Sequence, residues 1–459
     1  MFVRYSGYKF FLSIAFLLWA CQDNTSQPAG DNDPDEAYAG GTTTSFDATS
    51  KAYTFPLANL NAASLTLHHA GDAVFEATFV TPPALVNGGL GPLYNNTSCK
   101  SCHNNDGRAR PPLDDEPFNG LLFRISGQGT DVHGGPIPMP GFGLQVQTRA
   151  VVGVQPEMNI SISYEENADA FADGQTYSLR KPTYTITDPY IIVPAEAMIS
   201  PRIANPNFGL GLLEAVPEQT ILSYADEDDT NGDGISGKAN YVYDKSLSQI
   251  VLGRFGWKAS QPSLTQQAAA AANGDMGVTS PYFPDETSSG QVQDVPAHDP
   301  EISSEELEAI KVYLETLAPP ARRNATDATV QRGKNIFLQA KCSACHIPKM
   351  QTGTAGLAEL SNQTIRPFTD LLLHDMGDGL ADGRPDFRAS GREWRTAPLW
   401  GIGLTKIVSG HTNFLHDGRA RNLMEAVMWH GGEAEQAKQN VKKMSQADRN
   451  ALVKFLESL

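Results

Sequence analysis

The sequence predicts a mainly α-helical fold with irregular loops and short β insertions, divided between two domains. The chain has 459 residues, which is room for about two or three domains of roughly 100–200 residues each. Hydrophobic residues make up 40% and charged residues only 19%, so the chain can bury a core and is not disordered throughout. A Cys-x-x-Cys-His pattern occurs at residues 99–103 and again at 342–346. The two copies are too far apart for one small domain, so each is expected to have its own.

The charge balance excludes one class of partner. The chain has 35 Lys and Arg residues against 52 Asp and Glu residues, a formal net charge of −17 at pH 7. Nothing in such a chain would neutralise nucleic-acid phosphates, so no nucleic-acid partner is expected. An acidic protein would suit a basic redox partner.

Residues 1–21 are predicted to be a lipoprotein signal peptide. Arg4 and Lys9 precede an apolar run that ends at Ala20 and is too short for a transmembrane helix, which needs about 20 apolar residues. The run ends in Leu-Trp-Ala-Cys, which resembles a bacterial lipobox. Cys21 is therefore predicted to carry a lipid that anchors an exported protein to a membrane, facing the periplasm or the cell surface. An ordinary signal peptide with a coincidental cysteine is the alternative.

The other four cysteines lie in the two repeated motifs. In each motif, two thiols can add across the two vinyl groups of haem, and the adjacent imidazole can then ligate the iron. The sequence therefore predicts two covalently bound haem c groups, held by Cys99, Cys102, His103, Cys342, Cys345 and His346. A thioredoxin-like pair would need only one copy, a four-cysteine zinc site leaves both histidines unexplained, and disulfides closing such small loops would stabilise little.

Composition and apolar spacing predict the domain limits. Residues 22–50 lack any apolar period and are predicted to be a flexible tether. Glu301–Leu317 has helical apolar spacing and stops at Ala-Pro-Pro, so a domain boundary is expected at 318–328. The two cytochrome c-like haem domains are then expected at residues 51–320, with insertions, and 321–459.

Local sequence patterns predict the secondary structure of the segments around the motifs. Gln331–Cys342 is helix-like, and Gly91–Ser98 is interpreted in the same way, so that a short helix delivers each motif. Residues 104–200 are rich in Gly and Pro with alternating segments, which predicts turns and short strands. A last helix is expected over Ser445–Leu459, with its apolar side formed by Ala451, Leu452, Phe455 and Leu456.

Two haem c motifs in one exported chain resemble the bacterial dihaem cytochrome c peroxidases. The stretch from Leu252 to Gly277 is similar to the segment of that family in which a tryptophan is followed by a leucine, a glutamine and Glu-Met-Gly. The resemblance implies that Trp257 bridges the haems and that Gln267 and Asp275 line the peroxide pocket, with Asp in place of the family's Glu. A core aromatic and a loop cap are the alternatives for Trp257 and Asp275.

A second segment, Asn413–Gly432, resembles the family's aromatic-x-His-Asp-Gly region. There the residue fourteen positions after the histidine is the distal ligand of the C-terminal haem and is usually Met; here it is His430. The resemblance makes His346 and His430 the ligands of that haem. Loss of the thioether lowers the potential expected of this centre. The alternative is a surface or capping histidine.

Four further segments are typical of a narrower branch, the di-haem oxidoreductases, often labelled thiol oxidoreductases. They are Leu210–Val216, Asp229–Gly237, Gly253–Ala259 and Trp394–Gly401. The resemblance covers roughly residues 60–459. The thiol label itself has no support, because every cysteine after Cys21 is committed to haem.

Two ligand assignments stay open. His133 is the nearest downstream histidine that could be the sixth ligand of the first haem, with His68, His69 and Met276 as other candidates, or it is a loop histidine near solvent. Side-chain oxygens at Asp229, Asn231 and Asp233 match the first half of a calcium loop, but Asn240 stands where the bidentate Glu would be. An Asx-turn loop is the alternative to calcium.

These residues predict a peroxidase-like dihaem oxidoreductase. Electrons are expected to pass from the C-terminal haem, by way of Trp257, to an N-terminal haem that reduces peroxide or a similar small oxidant. Asp275 and Gln267 would move protons there. The electron donor would be a small cytochrome or another redox protein. A non-catalytic, membrane-anchored electron-transfer cytochrome is the main alternative, and an enzyme that oxidises a protein or organic substrate is the third.

Overall fold

The structure is a computed structural model. It describes residues 1–3, 33–113, 116–288, 291 and 300–459. Within these ranges, residues Asp35–Leu459 form one compact unit, and no helix is long and apolar enough to cross a membrane. The predicted signal peptide beyond residue 3, the lipobox Cys21 and the tether up to residue 32 lie outside the described residues.

Helical residues outnumber strand residues, and irregular segments join the two. The helices are α1 (Ala62–Glu76), α2 (Cys99–Cys102), α3 (Leu210–Glu214), α4 (Glu218–Leu222), α5 (Leu264–Met276), α6 (Ser304–Thr316), α7 (Ala328–Gln339), α8 (Thr405–Ser409), α9 (Leu423–Trp429), α10 (Glu435–Lys442) and α11 (Gln446–Ser458).

The strands of the described ranges pair as six two-stranded antiparallel sheets. They are β1 (Leu93–Tyr94) with β3 (Arg149–Ala150), β2 (Leu121–Ser126) with β6 (Met198–Ile203), β4 (Asn159–Ala170) with β5 (Thr176–Thr187), β7 (Tyr241–Asp244) with β8 (Gln249–Leu252), β9 (Met350–Gln351) with β10 (Thr364–Ile365), and β11 (Leu373–Asp375) with β12 (Glu393–Arg395). Helices, irregular loops and short strands are thus confirmed, while the number of haem domains stays a prediction.

Two pairs of helices pack closely together, α1 with α6 and α7 with α11. Helix α6 lies where the apolar spacing predicts it, and it begins with a capping box between Ser303 and Glu306. It crosses α1 so closely that a Cβ on Gly71 would lie 2.0 Å from Ala309 O. Helix α7 crosses α11 in the same manner, since a Cβ on Gly333 would lie 2.0 Å from Ala451 O.

Gly333→Ala is therefore expected to destabilise the protein. The added methyl group has to push the two helix backbones apart, and such overpacking costs about 1–3 kcal/mol. Thermal unfolding of the variant would be compared with that of Gly356→Ala, a site where an added Cβ meets nothing within 4 Å. Equal midpoints for both variants would contradict the close crossing.

The strands between the two motifs are longer than the sequence predicts. Strands β4 and β5 have 12 residues each and form a hairpin. Arg180 donates to the carbonyls of Gly418 and Arg419, and Ala172 N donates to Lys442 O. The hairpin therefore gains its support from residues far along the chain, which local alternation cannot indicate.

The last part of the predicted tether is packed rather than flexible. Glu36 is buried and pairs with Arg322 and Lys334. Thr43 is fully buried, and Ser45 N donates to Pro319 O. A tether can therefore extend no further than Pro34, because the compact unit begins at Asp35. The domain limit at 318–328 stays a prediction.

Candidate functional site

The first Cys-x-x-Cys-His motif forms a single helical turn at the edge of a cavity. Ser98 caps α2, because its side chain accepts the N–H of Ser101. The His103 N–H donates to Cys99 O at 3.0 Å. This turn brings Cys99, Cys102 and His103 into the wall of the same cavity.

The prediction of a helix over Gly91–Ser98 is wrong. This segment contains β1, and its backbone bonds to the end of α5: Gly91 N donates to Met276 O, and Asn95 N donates to Asp275 O at 2.8 Å. The backbone donors are thus satisfied by another element instead of by a helix. The consequence is that Asp275 is held beside the first motif.

The second motif follows α7, as predicted, but the helix ends at Gln339. Lys341 has a φ of 67°, which turns the chain into a 3-10 turn over Cys342–Ala344. The His346 N–H donates to Cys342 O at 3.1 Å. Cys342, Cys345 and His346 line the cavity that also receives the first motif.

This cavity has a volume of about 1250 Å³. The four thiols on its wall form no disulfide. Burial raises the pKa of Cys99, Cys102 and Cys342 to about 12. Among the described residues, the four thiols do not form a group of ligand atoms within 4.8 Å of one another, as a shared zinc ion would need. Two separate thiol pairs beside a large cavity fit haem attachment better than the zinc or disulfide alternatives.

One cluster beside Cys345 has the spacing of metal ligands. Among the described residues, Cys345, Asp370 and His374 are the one group of three potential ligand atoms within 4.8 Å of one another. His374 uses both ring nitrogens, Nε2 to Asp370 at 2.8 Å and Nδ1 to Glu433 at 2.6 Å. Burial alone would lower its pKa, but the two carboxylates raise it well above the ordinary value. Both ring nitrogens are thus already engaged by carboxylates.

His346 and His430 are held as ligand histidines need to be. His346 Nδ1 lies 2.9 Å from Phe368 O, and His430 Nδ1 lies 2.7 Å from Ala426 O. A carbonyl accepts only from N–H, so Nδ1 is protonated in both rings and Nε2 keeps its lone pair. Burial lowers the pKa of His346 to about 4, and the nearby His430 lowers it further. The two rings thus share one end of the cavity, as a six-coordinate iron would require.

His103 also fits the role of a proximal ligand. Burial lowers its pKa to about 4, so the ring is neutral. Its Nδ1 lies beside the backbone of Asn205 and Gly107 and makes no well-formed hydrogen bond within the described ranges. A neutral imidazole on the cavity wall directly after the two cysteines can ligate an iron through Nε2.

The remaining candidates for the first haem's sixth ligand differ in position. His133 lines the cavity but is exposed, and it stacks on Tyr243 with ring centroids 3.7 Å apart. Met276 is buried and lines the cavity. His68 is buried, with Nδ1 2.8 Å from Thr316 Oγ1, and is not among the lining residues. The assignment of His133 stays a prediction.

Helix α5 carries the predicted pocket residues Gln267 and Asp275, both of which line the cavity. Ser263 caps the helix and Gly277 ends it in a left-handed conformation. Asp275 Oδ1 accepts a hydrogen bond of 2.8 Å from Gln145. Burial raises the pKa of Asp275, which nearby Arg124 and Gln145 partly oppose. The carboxyl therefore retains a proton to higher pH than an exposed aspartate does.

Three aromatic rings on the cavity wall contact one another in series. Trp257 is buried and donates from Nε1 to Ile203 O at 2.8 Å. Its ring meets His416 edge-on at 6.4 Å, and His416 stacks on Trp394 at 3.9 Å. Arg108, which follows the first motif, lies over the Trp257 ring at 5.4 Å. The sequence singled out Trp257 but assigned no role to Trp394 or His416.

The Asp229 loop satisfies its own backbone. Asp229 accepts from Gly234 N, Asn231 accepts from Asp233 N, and Asp233 accepts from Ile235 N at 2.9 Å. These are the bonds of Asx turns. Calcium at this loop stays a prediction.

Comparison with known proteins identifies a family and finds similar solved structures. A family model described as "Di-haem oxidoreductase, putative peroxidase" matches residues 34–459. A solved structure, described as the crystal structure of a MauG-like protein associated with microbial copper homeostasis, shares 16% identity at a TM-score of 0.28, covering 55% of this chain and 89% of that chain. The search of curated proteins found no match.

Proposed function

Because the chain belongs to the di-haem oxidoreductase family, we propose that it is an exported enzyme with two covalent haem c groups that reduces peroxide or a similar small oxidant. The observation that carries the proposal is the single cavity lined by both Cys-x-x-Cys-His motifs. When bound, the haems would supply the one-electron chemistry, with electrons arriving at the His346 side and the oxidant reduced at the His103 side.

The protein's own residues would hold and orient the two haems and would supply protons beside the first motif. The paired cysteines would fix the porphyrins, with His103 on one iron and His346 and His430 on the other. Asp275, held by Gln145, would supply and receive protons beside the first motif, with Gln267 as its partner in the pocket.

The route between the two sides would follow the aromatic contacts. Trp257 touches His416, and His416 stacks on Trp394, so a short series of conjugated rings lines the cavity. The electron donor would be a small cytochrome or another redox protein. Cys21 would anchor the chain to a membrane through lipid, and calcium at Asp229, Asn231 and Asp233 belongs to the same set of proposals.

The test is a steady-state assay of the holoprotein with hydrogen peroxide and a one-electron chemical reductant. We expect two equivalents of reductant to be oxidised per peroxide, since each oxygen of the peroxide ends as water. Oxidation no faster than in the same mixture of peroxide and reductant without protein would reject the proposed enzyme activity. Low-temperature electron paramagnetic resonance showing two low-spin haems that no added ligand exchanges would also count against an open catalytic side.

His430 favours a second candidate, a non-catalytic membrane-anchored electron-transfer cytochrome. A haem with two histidine ligands has a lower potential than one with His and Met, which weakens the case for a high-potential electron donor. In that case the assay would show reversible reduction of both haems without peroxide turnover.

His430→Met is expected to raise the midpoint potential of the C-terminal haem by on the order of a tenth of a volt, within the roughly 0.8 V that axial ligands span. The thioether stabilises the ferrous state relative to a second imidazole. Potentiometric titration would measure it, with the potential of the N-terminal haem in the same protein as the internal control. An unchanged potential would show that His430 is not a ligand.

A further inference from the structure

Four cations from distant parts of the chain meet in the interior beside the cavity. They are Arg124, Arg202, Lys258 and Arg384, of which Lys258 is fully buried and Arg384 is 2% exposed. Among the described residues, only two carboxylates, those of Asp382 and Asp386, lie in direct ion pairs with them. The cluster therefore carries two positive charges more than its paired acids neutralise.

The lysine in this cluster is fully satisfied. Lys258 Nζ donates to Asp382 Oδ1 and to the carbonyls of Arg384 and Ser390, each at 2.8 Å. Its role is explained by these three bonds. The unbalanced charge belongs to the arginines.

Arg202 and Arg384 keep N–H donors that no described residue accepts. Arg202 Nη1 bonds to Asp386 at 2.7 Å and Nε bonds to Ser200, but Nη2 has no hydrogen-bond partner within the described part of the chain. Arg384 Nη1 lies 3.1 Å from Asp386 without hydrogen-bond alignment, and its Nε is unpartnered among the same residues. Burial lowers the pKa of Arg384 to about 10, which leaves it charged at neutral pH. Buried unpaired guanidinium donors are costly, so the site is suited to accept an anion.

The position of the cluster indicates which anion it would bind. Arg124, Arg202 and Arg384 all line the cavity that receives the haem motifs. The charge of Arg124 acts on Asp275, and the charge of Asp275 acts in turn on Cys99 and Cys102. Asn205, three residues after Arg202, lies beside His103. The cluster is thus on the first motif's side of the cavity.

We propose that Arg202 and Arg384, supported by Arg124, bind the two propionate carboxylates of the N-terminal haem. The proposal rests on the presence of that haem in the proposed function. Planar guanidinium groups match carboxylates through paired N–H donors, and two carboxylates balance the two unpaired charges. Anchored at the cysteines on one edge and at the arginines on the other, the porphyrin would be fixed in orientation relative to Asp275 and Trp257.

A free anionic substrate could offer the same carboxylate chemistry, so the experiment has two arms. In the first, holoprotein is produced with 5-aminolevulinate carrying ¹³C at its carboxyl carbon, which places the label in the haem propionates. Redox-induced infrared difference spectra are then recorded for the wild type, Arg384→Gln and Arg202→Gln. We expect the labelled carboxylate bands to shift in both variants. The control is Arg449→Gln, in which the bands should stay unchanged. Arg449 is buried but pairs with Asp173 and Gln175 away from the cavity.

In the second arm, sulfate and acetate are titrated into the wild-type holoprotein and followed by haem absorption. We expect no saturable binding, because the propionates occupy the arginines. Saturable binding that Arg384→Gln abolishes would overturn the assignment in favour of a free anion site. Labelled bands identical in the wild type and the glutamine variants would overturn it as well.

Two further measurements deal with a variant that does not fold and separate the propionate assignment from the proposed function. If a glutamine variant fails to fold, Arg384→Lys and Arg202→Lys keep the charge and lose the paired donors, so a smaller band shift is expected. Haem content, measured by the pyridine haemochrome spectrum, separates the two proposals. A wild-type protein without haem would reject the proposed function, while full haem content with unmoved bands would reject the propionate assignment alone.

Discussion

Replacing Cys342 and Cys345 together by serine is expected to remove one of the two haems and to abolish peroxide turnover. Serine cannot form the thioether bonds, and His346 alone would hold the porphyrin only by coordination. Haem per protein, from the pyridine haemochrome spectrum and the mass of the intact chain, should fall to about half of the wild-type content. Turnover should fall to background because electrons no longer have a site at which to arrive.

The matched variant replaces Cys99 and Cys102 by serine. It should lose the other haem and the same amount of haem absorbance, but retain a reducible centre ligated by His346 and His430. Comparison of the two variants would also assign each spectrum to its motif. Haem content equal to that of the wild type in both variants would contradict covalent attachment at these cysteines.

The loss of a haem should also lower stability. Buried apolar side chains line the cavity of about 1250 Å³, among them Phe208, Leu314, Phe337 and Leu452. Without the porphyrin, these apolar surfaces would face water or collapse on one another. We therefore expect a lower thermal midpoint in both cysteine variants than in the wild type. The decrease should be larger in the variant that loses the more deeply buried haem.

The parts of the fold that local sequence determines were predictable. Helix α6 follows from its apolar spacing and from Ser303 and Glu306, and α11 follows from Ala451, Leu452 and Phe455. Both motifs could be placed because attachment chemistry fixes their spacing within five residues. The resemblance to a family added Gln267 and Asp275, and both do line the cavity with the first motif.

Long-range contacts explain what was missed. The segment before the first motif is extended because the end of α5, far along the chain, takes up its N–H groups. The hairpin of β4 and β5 is long because Arg180 and Ala172 find partners in the C-terminal half. The arginine cluster joins residues 124, 202 and 384 from three separate loops and strands. No spacing rule connects such positions before the fold is known.

Asp275→Asn is expected to lower peroxide turnover by about 10²–10⁴-fold, the range that a positioned general acid or base contributes. Asparagine keeps the shape and can still bond to Gln145, but it can neither give nor take a proton. Burial raises the pKa of Asp275, so the native carboxyl is suited to hold a proton that an exposed aspartate would lose. Steady-state assays with peroxide and a chemical reductant would measure the loss.

The same variant should leave both haem absorption spectra and both potentials close to those of the wild type, because Asp275 is expected to act on protons rather than on iron. Asp327→Asn is the matched control: it makes the same chemical change at the cap of α7, where asparagine caps equally well. Asp275→Glu should retain much of the turnover, since it keeps the carboxyl and restores the residue that the related peroxidases have at this position. If Asp275→Asn turned over peroxide as fast as Asp327→Asn, the proton would have to come from another group on the cavity wall. Asp275 on α5 would then not be the acid.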